Sequence, residues 1–520
     1  MIRRPRTPAR ATPTLTRREL LARLGGGALT AMGGCASSTR QTPWEDITPP
    51  EPDLIRREND RPGTREWLLT RTGVAPETRY RCPRIEGYCS HTSARAGETI
   101  TFHVSTDPPS RFFLDIYRLG FYDGLGGRLM RQIGPLDGRA QLDPFVGPRR
   151  LRDCAWPPSA TLTIPHDWPS GVYVGKLTAE RDDWQSYVIF LVRDQRQVDF
   201  IVQCSDTTWQ AYNRWPDHYA LYDDGVHEWY WGGDVAVSFN RPYAKYCQIV
   251  DAPLSIGSGE FFLWEFPVAF WLEMHGYDVS YVSALDTHFG TAGLQRASGF
   301  LSVGHDEYYT LDMFDRLLDA VADGLSIAFL SGNTCCGRIA LGPDRRGALR
   351  TFERVDVYGP PDIDPIRGMQ QLPHRSPDAS ALVGARSHSP WVGGADWICI
   401  APDHWLYAGT GMKHGERIDG LIGWEWQGDP ADIPGLEVVA AGPTQIDQGT
   451  RNGGIYTATI YPGPADNVVF NASTCWWGDG LSAPPGYLRP SIYTTPRGPD
   501  RRVQRITRNL LARMRGEPPR

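Results

Sequence analysis

Gly299-Phe300-Leu301-Ser302-Val303-Gly304 runs straight into His305-Asp306-Glu307-Tyr308-Tyr309. The first half is small or apolar and has the length of a strand buried on both faces. The second half holds two acids, a histidine and two tyrosines, which would be costly to bury without partners. Thr310 then caps a helical face made of Leu311, Phe314, Leu317, Leu318 and Val321, and Gly324 ends it. Leu325-Ser326-Ile327-Ala328-Phe329-Leu330 follows as the next strand and leaves into Ser331-Gly332-Asn333-Thr334-Cys335-Cys336. Strand, helix and strand in this order predict a parallel sheet with crossover helices.

The same grammar extends upstream. Val198-Asp199-Phe200-Ile201-Val202 reads as a strand that exits into Ser205-Asp206-Thr207-Thr208-Trp209-Gln210-Ala211-Tyr212-Asn213. Phe261 to His275 has apolar residues at helical spacing and stops at Gly276, before a strand over Tyr277–Val282. Open α/β sheets bind ligands beyond the carboxyl ends of their strands. That rule selects Tyr212, His305, Glu307 and Asn333 as candidates for one polar site. The plainer readings are a solvated loop and helix start for residues 305–307, where acids are favoured, and a turn residue for Asn333. Cys335-Cys336 after a strand admits a cysteine nucleophile on an amidotransferase-like sheet. Adjacent thiols in an exported protein are more often inert.

Residues 79–196 differ. Glu98–Val104, Phe112–Arg118, Val172–Leu177 and Tyr187–Val192 alternate with period two between Gly/Pro turns. They predict a β-sandwich of immunoglobulin type. The expected fold is therefore multidomain, β plus α/β: a sandwich, then an α/β domain over 197–500 with a mainly parallel, glutamine-amidotransferase-like sheet. Residues 340–500 read as loops and short antiparallel strands, 501–520 as a basic helix or tail, and 41–78 as a linker or extended arm.

The 520 residues are 41 % hydrophobic and carry a net charge of −6, with no basic stripe of the kind nucleic-acid binding needs. Arg17-Arg18 precede a short, Gly-rich, weakly apolar run that ends at Gly33-Gly34-Cys35. Residues 1–40 read as a twin-arginine export signal with Cys35 as a lipidated residue. An ordinary signal peptide with an incidental cysteine is the other reading. Contact with a membrane would come only through that lipid, in the periplasm or cell envelope. The chain has ten cysteines. An oxidising compartment permits disulfides, such as a small Cys82–Cys89 loop, and no pair has zinc-finger spacing.

Gly87-Tyr88, Thr92-Ser93, Gly97–Ile100, Ile116–Tyr122, Thr208–Asn213, Val237–Tyr243, Val303–Tyr308, Ser331–Asn333, Gly423–Trp426 and Val469–Ala472 follow one another along the chain. In that order they resemble the large subunit family of N,N-dimethylformamidase. The resemblance implies a mononuclear ferric ion held by two tyrosinates, Tyr212 and Tyr243, and the carboxylate of Glu307. Tyr308 or Tyr309 is the competitor for the place of Tyr243. The resemblance also places His305, Asn333 and Glu425 as catalytic pocket residues and implies a small amide as substrate. It further implies a small helical partner subunit, with a homo-oligomer as the other arrangement. Three anionic oxygens suit a hard trivalent cation. The rival from another class is a non-catalytic, envelope-anchored protein that binds a small ligand.

Mass spectrometry of protein extracted from the cell envelope should find a chain starting at lipid-modified Cys35. A soluble chain cleaved elsewhere would remove the anchor and leave export intact.

Overall fold

The computed structural model describes residues 50–75, 77, 80–227, 229–244, 256–359, 368–446, 451–488 and 498–518. The signal segment with Cys35, and Cys247, lie outside the described residues. Among those described, no helix is long and apolar enough to cross a membrane.

The segment expected as a linker holds a short helix, α1 (Leu54–Asn59), and the buried Trp67. Eight strands follow: β1 (Glu86–Cys89), β2 (Ser93–Ala94), β3 (Thr99–Ser105), β4 (Arg111–Leu119), β5 (Gly127–Asp137), β6 (Ala160–Thr163), β7 (Gly171–Ala179) and β8 (Gln185–Val192). They form a three-stranded sheet, β1-β3-β6, and a five-stranded sheet, β2-β8-β7-β4-β5. Ile100 and Phe102 of the first and Leu114, Leu177, Val188 and Phe190 of the second share one apolar cluster. The alternate residues Val172, Val174, Tyr187, Ile189 and Leu191 are buried against a different set, in the cluster that holds Phe262 and Phe266. The five-stranded sheet is thus covered on both faces, which is why Tyr187–Val192 is apolar without interruption.

The rest is α/β. In chain order come β9 (Val198–Cys204), α2 (Asp206–Tyr212), β10 (Ala236–Ser238), α3 (Phe261–Trp264), α4 (Phe266–Met274), β11 (Val279–Ser283) and α5 (Ala284–Phe289). After them come β12 (Ala297–His305), β13 (Tyr308–Tyr309), α6 (Leu311–Ala322), β14 (Ser326–Gly332), β15 (Gly337–Pro343) and β16 (Leu349–Val357). Last are β17 (Ala385–Ile398), β18 (Arg417–Pro430), β19 (Glu437–Ile446), β20 (Arg451–Pro462), β21 (Val468–Asn471) and α7 (Arg501–Met514). The helix expected over Phe261–His275 is broken at Glu265 into α3 and α4. Thr310 caps α6 through its side chain, as the spacing predicts.

A nine-stranded sheet runs β11-β9-β12-β14-β21-β20-β19-β17-β18. The first five strands are parallel to their neighbours and the remaining pairs are antiparallel. Both faces of the parallel half are apolar. Phe200, Val202, Leu301, Val303 and Leu330 lie in one cluster with α4 and α7, and Ile201, Phe300, Ile327 and Phe329 in another with α6. The region expected to hold short strands instead holds β17 and β18, each of 14 residues. Bulges break their pairing at several points, so no clean alternation marks them in the sequence. The edge strand β18 is hydrogen-bonded back to the segment after β21: Gly423 N–H donates to Thr474 Oγ1 and Gln427 N–H to Ser473 Oγ. That return brings β18 over the carboxyl ends of β14 and β21.

Residues 46–520 form one compact unit. A fully buried ion pair crosses from the five-stranded sheet to the α/β part, with Arg118 on β4 and Glu273 on α4 at 2.9 Å. Tyr281 and Asn59 also donate to the Glu273 carboxylate, and Arg118 donates to Ser170 O. Removing one partner strands a buried charge at a cost of about 3–5 kcal/mol. Glu273→Ala should therefore lower the denaturation midpoint steeply, and the double variant Arg118→Met/Glu273→Leu should recover most of the loss. A Glu273→Ala midpoint equal to the wild type would show that this pair does not carry the junction.

Candidate functional site

Gly304, the penultimate residue of β12, has φ +72° and packs so tightly that a Cβ would lie 2.2 Å from Trp264 Cβ. Only glycine fits both conditions without strain. The bend after it turns His305, Asp306 and Glu307 into the protein, where none has exposed surface. Thr208 Oγ1, on α2, accepts from the backbone N–H groups of Glu307 and Tyr308 at 3.0 and 3.2 Å. The helix that leaves β9 thereby holds the turn that leaves β12.

Tyr212, the last residue of α2, donates to Glu307 Oε2 at 2.5 Å. Tyr222 donates to the Tyr212 hydroxyl at 2.5 Å and lies 3.1 Å from both Glu307 oxygens. Two phenol oxygens and one carboxylate thus converge. On the other side, His305 Nε2 is 3.4 Å from Glu307 Oε2 and 2.6 Å from Glu425 Oε2, which β18 delivers. Neither His305 nitrogen has a well-aligned hydrogen bond in this geometry. Asn333, directly after β14 and at φ 52°, donates to Glu425 Oε2 at 3.1 Å and accepts from Ser387. Trp264, Trp424, Trp476, Leu263 and Cys475 make an apolar wall, with the Trp264 ring 6.1 Å from His305.

Burial dominates the electrostatics. It pushes Glu307 and Glu260 up to about 7, and it drives the Tyr212 and Tyr222 phenols well above their ordinary range, with the Glu307 charge adding to both. Burial alone would lower His305, but Glu425, Glu307 and Glu260 outweigh it and raise it to about 9. A buried pocket that presses three carboxylates against one histidine favours an additional cation. His305, Glu307 and Glu425 offer ligand atoms within 4.8 Å of one another. The Tyr212, Tyr222 and Glu307 oxygens are spaced close to the roughly 2.9 Å edge of an octahedral oxygen shell around a small hard cation. The donor set fits a metal ion.

Of the residues singled out from the sequence, Tyr212, His305, Glu307, Asn333 and Glu425 meet here. Tyr243 does not. It lines a separate cavity with Thr92, Leu191, Trp209 and Arg350, and its ring is 6.3 Å from Trp209. The reason is local. Buried Arg241 binds Gln210 on α2 and the carbonyls of Trp215 and Tyr219. Asn213 then clamps the next turn, donating to Pro242 O and accepting from Ala244 N–H, which holds Tyr243 away from the cluster. Tyr222 stands where Tyr243 was expected. It falls in an aromatic, irregular stretch that has no period to mark it. Arg354 and Glu260, also close to the site, carry no motif.

The eight described cysteines are free and buried, Cys82 and Cys89 included. Burial pushes the Cys335 and Cys336 thiols up, away from the thiolate a nucleophile needs.

A family model described as N,N-dimethylformamidase beta subunit-like, C-terminal, matches residues 113–490. No curated protein matches the chain. Among solved structures, a 1.4 Å crystal structure of an uncharacterized protein from Bacillus anthracis str. Ames matches with 11 % identity. That match covers 25 % of this chain and 93 % of its own, with a TM-score of 0.15.

Gly304→Ala should cost about 3 kcal/mol or more, combining a left-handed backbone on a residue with a Cβ and a clash with Trp264. Chemical denaturation reads this directly. A wild-type midpoint would contradict the packing of β12 on α3.

Proposed function

The chain belongs to the N,N-dimethylformamidase beta subunit-like family, and on that premise we propose that it hydrolyses the C–N bond of small amides at a mononuclear ferric centre. Tyr212, Tyr222 and Glu307 would hold the ion. The observation that carries this reading is the convergence of two buried phenol oxygens on one buried carboxylate, at 2.5 and 3.1 Å. Three anionic oxygens match the charge and hardness of Fe(III). The bound ion supplies Lewis acidity toward a carbonyl oxygen and toward water.

The remaining groups do ordinary acid–base work. The C–O bond forms from water as the C–N bond breaks. The proton leaving water goes to the His305–Glu425 pair and returns to the amine nitrogen. Glu425 orients His305, and Asn333 orients Glu425 with one amide hydrogen. The second hydrogen of the Asn333 amide remains for a substrate oxygen as negative charge develops on it. The tryptophan wall keeps bulk water out. The family's description as a beta subunit supports a partner subunit for this chain.

A second reading has its own support, since His305, Glu307 and Glu425 are themselves a compact donor set that would suit a divalent ion. Colour and metal retention separate the two. Under the ferric reading the protein is coloured, Tyr212→Phe, Tyr222→Phe and Glu307→Ala each lose most of the iron, and His305→Ala keeps the iron while losing amidase activity. A colourless wild-type protein, or a metal lost on His305→Ala and kept on Tyr222→Phe, would overturn the tyrosinate assignment. A metal-free protein that binds small amides without turning them over would favour the binding-protein reading.

A further inference from the structure

Arg354, on β16, has no exposed surface. Among the described residues it forms no ion pair with a carboxylate, unlike Arg118. A buried guanidinium without a counter-charge is costly, so its partners are informative. Its Nη1 donates to the carbonyls of Tyr230 and Gly232. Its plane lies over Trp231 at 4.1 Å and near the rings of Tyr222 and Tyr308 at 4.8 and 5.4 Å. Its Nη2 donates to the Tyr308 hydroxyl at 2.6 Å.

From Tyr308 the hydrogen bonds run in one direction. Tyr308 donates to Tyr222 at 2.7 Å, Tyr222 to Tyr212 at 2.5 Å, and Tyr212 to Glu307 at 2.5 Å. A guanidinium only donates. Tyr308 therefore accepts from Arg354 and has its own hydrogen left for Tyr222. The chain begins on a fixed cation and ends on the carboxylate of the candidate metal centre, and the charge absent beside Arg354 is found at its far end.

We propose that Arg354, acting through Tyr308, is a positioning residue that sets how strongly the Tyr222 oxygen donates to the metal. The inference rests on the reading in which Tyr222, Tyr212 and Glu307 are ligands. A ligating Tyr222 has given up its own proton, yet its oxygen keeps the hydrogen bond from Tyr308, which Arg354 polarises. That bond stabilises the phenolate lone pair and weakens its donation. Two phenolates and a carboxylate would otherwise neutralise a trivalent ion and dull its acidity, and one restrained phenolate preserves it. Arginine suits this role better than lysine, because its planar fork holds two backbone carbonyls and the Tyr308 hydroxyl at once.

The test reads the phenolate-to-iron absorption band together with iron content, in purified full-length protein. Tyr308→Phe cuts the chain and leaves the Arg354 contacts to Tyr230 and Gly232 in place. Its band should move to longer wavelength with iron retained. Arg354→Met should move the same way, with Arg354→Lys between it and the wild type. Should Arg354→Met fail to fold, Tyr308→Phe alone decides. An iron-loaded Tyr308→Phe protein with the wild-type band would overturn the inference and leave the ligand assignment standing. Loss of iron from folded Tyr308→Phe would also overturn it, since Tyr308 would then itself be a ligand. A wild-type protein without the band would refute the ferric reading and this inference with it.

Discussion

Taking the Glu307 carboxylate out of water sets the terms for the structure around it. A buried carboxylate is tolerable only when donors or cations meet it, and each neighbouring element contributes toward that end. The backbone that presents Glu307 is pinned by Thr208 of α2, its oxygens face Tyr212 and Tyr222, and His305 lies on the side toward Glu425. Burial still raises Glu307 to about 7, so these partners do not fully replace water. The deficit is what makes the cluster a candidate for chemistry rather than for stability alone.

How much of this is legible in the residues depends on whether local periodicity or long-range closure creates it. The strand–helix–strand run from Gly299 to Leu330 announces β12, α6 and β14, and the exit rule then leads to His305, Glu307 and Asn333. Glu425 is different. Its place depends on β18 returning through Gly423 and Gln427 to the segment after β21, a closure made between residues far apart in the chain. The resemblance to a known family supplied that residue, and no pattern within the chain did.

The same resemblance grouped Tyr243 with Tyr212, and the structure places Tyr243 in a separate cavity. Tyr212 and Tyr243 lie in segments that are equally rich in aromatic and polar residues, and nothing in either says which way its ring turns. The outcome is decided by Arg241 and Asn213, which hold the turn at Pro242, and by Tyr222, whose stretch lacks any strand or helix period. Long-chain β structure hid for a related reason. β17 to β20 carry bulges and register shifts that break the alternation by which strands are recognised.

One feature of the large sheet bears on how the chain is made. β21 pairs with β14 on one side and β20 on the other, so it joins the parallel and antiparallel halves from a position near the C-terminus. Until Val468–Asn471 leaves the ribosome, Ile327 and Phe329 sit on an unpaired strand edge of the kind that recruits other chains. That edge is closed only when Val469 and Phe470 pair with Ile327 and Ala328, so joining the two halves of the sheet waits on a contact between segments far apart in the chain.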